Sequence, residues 1–167
     1  MGDRTQQLRD QLIRNFDDVA KERELRPPLY DTLCARLARG TAARGLGMSI
    51  DIVAPGMRGC PYHLHHAQEE AFVILEGRGS LRVAGEMLEL KTGDVAFLPP
   101  GPDFPHQIVN TSDAPLKYLS ISTQVRPEIV EYPDSEKYLA MAGPSGPPQF
   151  ARMSGLADDL DYWDREP

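Results

Sequence analysis

Residues 70–101 read EAFVILEGRGSLRVAGEMLELKTGDVAFLPPG, and this stretch decides the fold class. Short apolar runs alternate here with Gly, Asp and Pro residues, which interrupt the runs about every ten positions. That pattern is typical of β-strands joined by tight turns. The runs lie too close together for crossover helices, so a parallel α/β sheet is excluded. The stretch therefore predicts an all-β sandwich or a jelly-roll barrel.

The same pattern extends outward from this stretch in both directions along the chain. We expect strands at residues 48–53, 71–75, 80–84, 87–90, 95–98, 106–109 and 116–121. The β-barrel would then occupy residues 44–125, between an N-terminal helix with its lead-in (1–43) and a C-terminal extension (126–167).

Both flanking segments differ from the central one. Leu8, Leu12, Phe16 and Val19 recur at helical spacing, which predicts an amphipathic helix over residues 5–24. The acidic C-terminal extension reads as an irregular tail, but we expect Trp163 to dock because leaving it in water would forfeit burial energy. The exposed helix stripe together with the barrel's surface predicts a homodimer.

Composition excludes several classes of partner. Eighteen Lys and Arg residues against 25 Asp and Glu give a net charge of -7, which disfavours nucleic acid. No apolar run is long enough for a membrane span, and the polar N-terminus does not resemble a signal peptide. We therefore expect a cytoplasmic protein with no membrane partner, in which Cys34 and Cys60 are free thiols.

The histidines indicate a metal site. All four fall in two short segments, as His63, His65, His66 and His106. Residues two apart on a strand share a face, so His63 and His65 can converge while His66 points away. By the same alternation Glu70 faces inward and Glu69 outward. Imidazole and carboxylate together suit a borderline divalent ion.

These residues resemble the motifs of the cupin family. The spacing His63-x-His65-x4-Glu70-x6-Gly77 resembles the first cupin motif, and Gly93-x5-Pro99-x-Gly101-x4-His106-x3-Asn110 resembles the second. One departure is that four residues separate Gly101 from His106, where about two are usual. Cys60-Pro-Tyr, Tyr132-Pro-Asp-Ser and the terminal Asp-Tyr-Trp further resemble a group of single-domain bacterial cupins that are often named as sugar-phosphate isomerases.

The resemblance implies a cupin-type jelly-roll β-barrel with one divalent metal ion, Fe, Mn, Ni, Co or Zn. Its ligands would be His63, His65, Glu70 and His106. Four protein ligands on an octahedral ion would leave two positions for water, dioxygen or a chelating substrate.

Three functions remain open at this point. The first is a metalloenzyme of isomerase, dioxygenase, decarboxylase or lyase type that acts on a small polar metabolite. The second is a non-catalytic barrel that binds a sugar or hormone-like acid, and the third is a barrel with a structural metal. An enzyme would need a general base, for which a carboxylate, Tyr62, Tyr118 or metal-bound hydroxide are the candidates.

Overall fold

The computed structural model of the chain describes residues 2–144, 147–157 and 161–164. Helix α1 spans Gly2–Leu12, and a 3₁₀ turn spans Pro133–Ser135. The strands are β1 (Glu22–Arg26), β2 (Tyr30–Arg36), β3 (Leu46–Val53), β4 (Leu64–His65), β5 (Glu70–Glu76), β6 (Arg78–Val83), β7 (Glu86–Lys91), β8 (Val95–Leu98), β9 (His106–Val109), β10 (Leu116–Thr123), β11 (Glu128–Tyr132), β12 (Lys137–Ala142) and β13 (Phe150–Gly155).

The strands form three sheets in which neighbouring strands are antiparallel. The largest has the order β1-β2-β3-β10-β5-β8, and the others are β13-β12-β11-β4 and β7-β6-β9. Non-consecutive neighbours such as β3, β10 and β5 are the mark of a jelly roll rather than of a simple meander. This confirms the all-β jelly-roll prediction, and each strand expected between residues 48 and 121 is present.

The main core lies between the six-stranded sheet and the β7-β6-β9 sheet. Strand alternation places Phe72 and Ile74 of β5 in this core, with 4% and 1% of their surfaces exposed. Leu75 faces the other side of the same strand and packs in a second cluster on the outer face. The core consists of Val53, Phe72, Ile74, Leu81, Leu90, Leu98, Ile108, Leu116 and Tyr118.

The turn after β5 requires glycine at position 77. Gly77 has a φ of +85°, and a Cβ there would lie 2.6 Å from the carbonyl oxygen of Pro115. Both the backbone conformation and the close contact exclude larger residues. This is the turn-forming role expected for the last glycine of the first motif.

The N-terminal helix is shorter than predicted. Helix α1 ends at Leu12 instead of residue 24, and the Asn15 Oδ1 atom accepts a 3.0 Å hydrogen bond from the Asp17 backbone N–H. Such side-chain bonds compete with helical backbone bonds, which explains the early end. The expected stripe is consequently divided: its first half is exposed, whereas Phe16 and Val19 pack on the outer cluster with Ile50. The homodimer stays a prediction.

The segment after Arg126 is more regular than predicted. Strands β11, β12 and β13 form a hairpin-linked sheet, and β11 pairs with β4, which carries His65. The expectation that Trp163 docks against the rest of its own chain is wrong. Its side chain is 73% exposed and touches Tyr162 edge-on at 4.9 Å between ring centroids. No apolar surface of the described residues covers this pair.

Two smaller expectations concern the cysteines and the membrane. Cys34 and Cys60 are both free thiols, as predicted. Among the described residues, no helix combines the length and the apolar character that a membrane crossing demands.

Candidate metal site

The predicted ligands lie at or beside the ends of three strands, which meet at one end of the jelly roll. His65 lies in β4, Glu70 begins β5 and His106 begins β9. His63 forms an isolated bridge with His106, in which the two residues exchange backbone hydrogen bonds of 3.1 and 2.7 Å. The longer turn before His106 therefore does not displace it from the site.

One carboxylate oxygen lies at the centre of the cluster. Glu70 Oε2 is 2.9 Å from His106 Nε2, 3.6 Å from His63 Nε2 and 3.5 Å from His65 Nε2. Ligand atoms of His63, Glu70 and His106 all lie within 4.8 Å of one another, a spacing that can hold a metal ion. His65 lies beside this group, with its ring centroid 5.0 Å from that of His63.

Backbone carbonyls orient two of the imidazoles. His63 Nδ1 lies 2.8 Å from the carbonyl oxygen of Pro61, and His106 Nδ1 lies 2.9 Å from that of Phe104. A carbonyl only accepts, so each Nδ1 is a protonated nitrogen, and each Nε2, which faces the cluster, is the atom that would bind a metal ion in place of a proton. Histidine ligands of metals are held in this way.

His65 has a different neighbour. Its buried Nδ1 lies 3.7 Å from Glu128 Oε1, beyond hydrogen-bond distance, and has no hydrogen-bond partner among the described residues. Burial acts to lower the pKa of His65, but the Glu128 and Glu70 carboxylates outweigh this and raise it. The ring is therefore held between two carboxylates.

Charge is strongly concentrated in the cluster. Burial acts to raise the pKa of Glu70, but the hydrogen bond from His106 and the nearby imidazoles of His63 and His65 outweigh it and lower that pKa. Burial likewise acts to lower the pKa of His63, whereas Cys60 and Glu70 raise it to about 11. These shifts show that the pocket favours a cation beside the Glu70 carboxylate, and the donor set fits a divalent ion.

The residues expected to point away do so. The His66 side chain is 37% exposed, and its Nε2 lies 2.6 Å from Glu131 Oε1 instead of facing Glu70. Glu69 is also exposed. Cys60 Sγ lies 3.8 Å from His63 Nδ1, which is already bonded to Pro61, so the thiol is not placed as a ligand.

Sequence reasoning missed Glu128, which is 1% exposed and organises the loop between β4 and β5. Its carboxylate accepts backbone N–H bonds from His66 at 3.0 Å, Ala67 at 3.3 Å and Gln68 at 2.7 Å. The loop joins His65 to Glu70, so Glu128 sets their relative position. Alternation with the buried Val130 was the signal that Glu128 faces inward.

A polar cavity also escaped sequence reasoning. It has a volume of about 530 Å³, and Glu70 forms part of its wall. Cross-strand pairing of Ser49 with Ser120, and of Ser122 with Glu70, places these hydroxyl side chains on the inward face. Polar residues that line it include Arg36, Arg39, Ser49, Ser120, Ser122 and Gln124.

Asp51 is the one acid on β3, and it is half-buried. Ser49 Oγ, which lines the cavity, donates a 2.6 Å hydrogen bond to Asp51 Oδ2. Burial raises the pKa of Asp51, although hydrogen bonds from Ser49 and Cys34 oppose this.

Tyr118 and Tyr62 are both buried, at 4% and 6% exposure, and burial raises the pKa of Tyr118.

Comparison with known proteins agrees with this fold. Residues 49–122 match the family described as the cupin domain. Over 60 residues the chain is 43% identical to an uncharacterised protein of Methanocaldococcus jannaschii, a match that covers 36% of this chain and 46% of that protein. The similarity thus spans about half the length of this curated relative.

Two solved structures resemble nearly the whole chain. One, from Acidithiobacillus ferrooxidans, is named as a proposed sugar phosphate isomerase; it has a TM-score of 0.78 at 24% identity, and the match covers 92% of this chain and 97% of that one. The other, from Silicibacter pomeroyi, is named as a sugar phosphate isomerase from a cupin superfamily, with a TM-score of 0.73 at 21% identity over 89% of this chain and 96% of that one. At these identities the likeness shows the fold alone, and the family match shows that residues 49–122 carry a cupin domain.

Proposed function

We propose that the protein is an enzyme that uses one divalent metal ion to isomerise a small, polar, hydroxylated metabolite. The observation that carries the proposal is the convergence of three imidazole Nε2 atoms on a single oxygen of Glu70, at 2.9, 3.5 and 3.6 Å. Only the shortest of these distances is a hydrogen bond. The Nε2 atoms of His63 and His65 are therefore available as ligands for a cation. We assign His63, His65, Glu70 and His106 as its ligands.

The ligand set limits the ion's chemistry without selecting one element. When bound, Fe, Mn, Ni, Co or Zn would polarise a carbonyl or hydroxyl group of the substrate. The chain supplies the remaining control: Pro61 and Phe104 carbonyls hold two rings, the Glu128 carboxylate lies 3.7 Å from the third, and Glu70 would offset part of the cation's charge.

An isomerase also needs a group that moves a proton between neighbouring carbon atoms. Asp51 is our candidate, acting through Ser49, because Ser49 Oγ contacts both the Asp51 carboxylate and the cavity. Its raised pKa brings the carboxyl closer to neutral pH, where it can both accept and return a proton. Tyr118 and Tyr62 are less suitable because both are buried.

Two observations favour an isomerase among the enzyme classes. The two solved structures that match most of the chain carry names that refer to sugar phosphate isomerases. The hydroxyl-lined cavity beside Glu70 suits a hydroxylated substrate as well. Dioxygenase, decarboxylase and lyase chemistry would use the same ligand set, and the non-catalytic barrel would use the same cavity.

Metal analysis of protein purified without added ions tests the ligand assignment. We expect stoichiometric metal in the wild type and in the control His66→Ala, and loss of most metal in His65→Ala, because only His65 faces the cluster. Equal loss in both variants, or a wild type that binds no divalent ion, would contradict the assignment.

Turnover assays on the metal-loaded protein test the reaction. Asp51→Asn should keep its metal but lose activity on a hydroxy-aldehyde substrate by on the order of 100-fold or more. Glu69→Gln, an exposed carboxylate, is the matched control and should be fully active. Ligand binding without turnover in the wild type would instead favour the non-catalytic barrel.

A further inference from the structure

The cavity beside Glu70 extends across the sheet to two arginines. Arg36 and Arg39 line it together with Glu70. Arg36 pairs with Ser49 on β3, Ser49 pairs with Ser120 on β10, and Ser120 pairs with Phe72 on β5. This row spans three strand spacings, about 14 Å along the sheet. A molecule held near Glu70 can therefore extend toward Arg36.

Arg36 belongs to the inward face of its strand. Thr32, four residues earlier on β2, is 3% exposed on that face, and strand alternation gives Arg36 the same orientation. The arginine itself is exposed, because it stands where the sheet opens into the cavity. It is therefore accessible to a ligand without any rearrangement of the strand.

The charges of these arginines are not neutralised by an ion pair. Arg36 and Arg39 form no salt bridge with a described residue, whereas Arg23 and Arg82 do. Glu22 and Glu24 line a neighbouring recess with Arg36 and Arg39 without pairing to them. The charge of Arg36 also acts to lower the pKa of the Asp51 carboxylate, although the two form no salt bridge. In a chain with a net charge of -7, two guanidinium groups without salt bridges in one cavity favour an anion there.

We infer that Arg36, assisted by Arg39, binds the phosphate group of a sugar or polyol phosphate whose hydroxylated end lies at Glu70. Two positive charges match a phosphate dianion better than a carboxylate, and guanidinium groups bind phosphate through paired N–H bonds. Ser49, Ser120, Ser122 and the Gln124 amide line the space between and can hydrogen-bond the hydroxyl groups. This inference rests on the proposed function, because it concerns the other end of the same substrate.

Calorimetric binding of two probes to the metal-loaded protein tests the inference. Ribose 5-phosphate should bind the wild type more tightly than ribose, by on the order of 10-fold to 100-fold. Arg36→Gln should abolish most of that preference while leaving metal content and ribose binding unchanged. Arg23→Gln is the matched control: Arg23 lies on the neighbouring strand, is paired with Asp31 at 2.7 Å, and does not line this cavity.

The outcomes separate the two hypotheses. A wild type that binds no metal would overturn the proposed function. Normal metal content with equal binding of ribose and ribose 5-phosphate would overturn the phosphate assignment alone, as would a preference that Arg36→Gln leaves unchanged. A third probe, riburonate, carries a single carboxylate charge at C5, the end at which ribose 5-phosphate carries its phosphate. If it gained as much affinity as ribose 5-phosphate, the assignment to phosphate would be wrong.

Discussion

The two ends of the barrel interior differ sharply, although the same strands build both. Along the inward face of β5, Glu70 is followed by Phe72 and Ile74. Along β10, which runs in the opposite direction, Leu116 comes first and Ser122 last. Antiparallel pairing aligns these gradients, so that polar side chains collect at one end and apolar ones at the other. Polar residues for the site and apolar residues for stability thus lie at opposite ends of the same strands, instead of on different strands.

The difference has an energetic consequence. Each large side chain buried at the apolar end contributes roughly 1.5 to 3 kcal/mol. At the polar end, charged groups such as Glu70 and Glu128 are removed from water and are tolerated only because they are paired or hydrogen-bonded. We therefore expect substitutions at the apolar end to change stability, and substitutions at the polar end to change binding.

The largest effect is expected at the apolar end. Ile74→Ala should lower the free energy of unfolding by about 2 to 5 kcal/mol, because Ile74 is almost fully buried and its removal leaves a cavity. Denaturant titration measures this loss, and the folded variant should retain its metal. Val95→Ala is the control on an exposed position and should change stability by less than about 0.5 kcal/mol. Loss of metal from folded Ile74→Ala would show that the two ends are not independent.

Glu70→Gln should produce the next largest effect, on metal affinity. Removing the central carboxylate should weaken metal binding by about 100-fold. Loss of a residue that only supports a metal ligand weakens binding by about 10-fold to 100-fold, and loss of a ligand itself should reach at least the upper end of that range. Glu69→Gln, its outward-facing neighbour, should bind metal like the wild type. Metal titration of both purified variants decides the matter. Equal affinities would mean that Glu70 does not face the ion.

Glu128→Gln should weaken metal binding less, by about 10-fold. An amide oxygen can still accept bonds from the loop that joins His65 to Glu70, but the negative charge beside His65 is lost. Glu131→Gln serves as the control because Glu131 contacts only the outward-facing His66 in this region. A thermal melt should accompany the titration, and unchanged metal affinity in a folded Glu128→Gln would exclude Glu128 from positioning His65.

What the sequence could predict was local. The strands between residues 48 and 121 have strong alternation and turn residues, and the ligand candidates lie within a few residues of one another or of a strand end. Four of the five residues of strand β1, Glu22–Arg26, are charged, and the strand exists by pairing with β2, which no local pattern encodes. Glu128 is separated from the loop it holds by 60 residues or more. Its role depends on tertiary contacts that sequence spacing does not reveal.

The smallest expected effect is on the pH dependence of stability at the polar end. The direction of this effect distinguishes Asp51 from an ordinary surface acid. Burial holds the pKa of Asp51 above its usual value despite the bonds from Ser49 and Cys34. Over the pH range above about 3.9, the usual value, the folded state therefore binds more protons than the unfolded state, and stability falls as pH rises. The substitution Asp51→Asn removes this loss of stability at higher pH.

The variant's melting temperature, relative to the wild type, should accordingly be higher at pH 7 than at pH 4 when both proteins are metal-free. Asp31 provides a control of opposite sign, because its hydrogen bond from Arg23 lowers its pKa. An acid of that kind stabilises the fold above its unfolded pKa. The melting temperature of Asp31→Asn, relative to the wild type, should therefore be slightly lower at pH 7 than at pH 4. If Asp51→Asn followed the same trend as Asp31→Asn, Asp51 would be a satisfied structural carboxylate, and its assignment as the proton-transfer group would lose its physical basis.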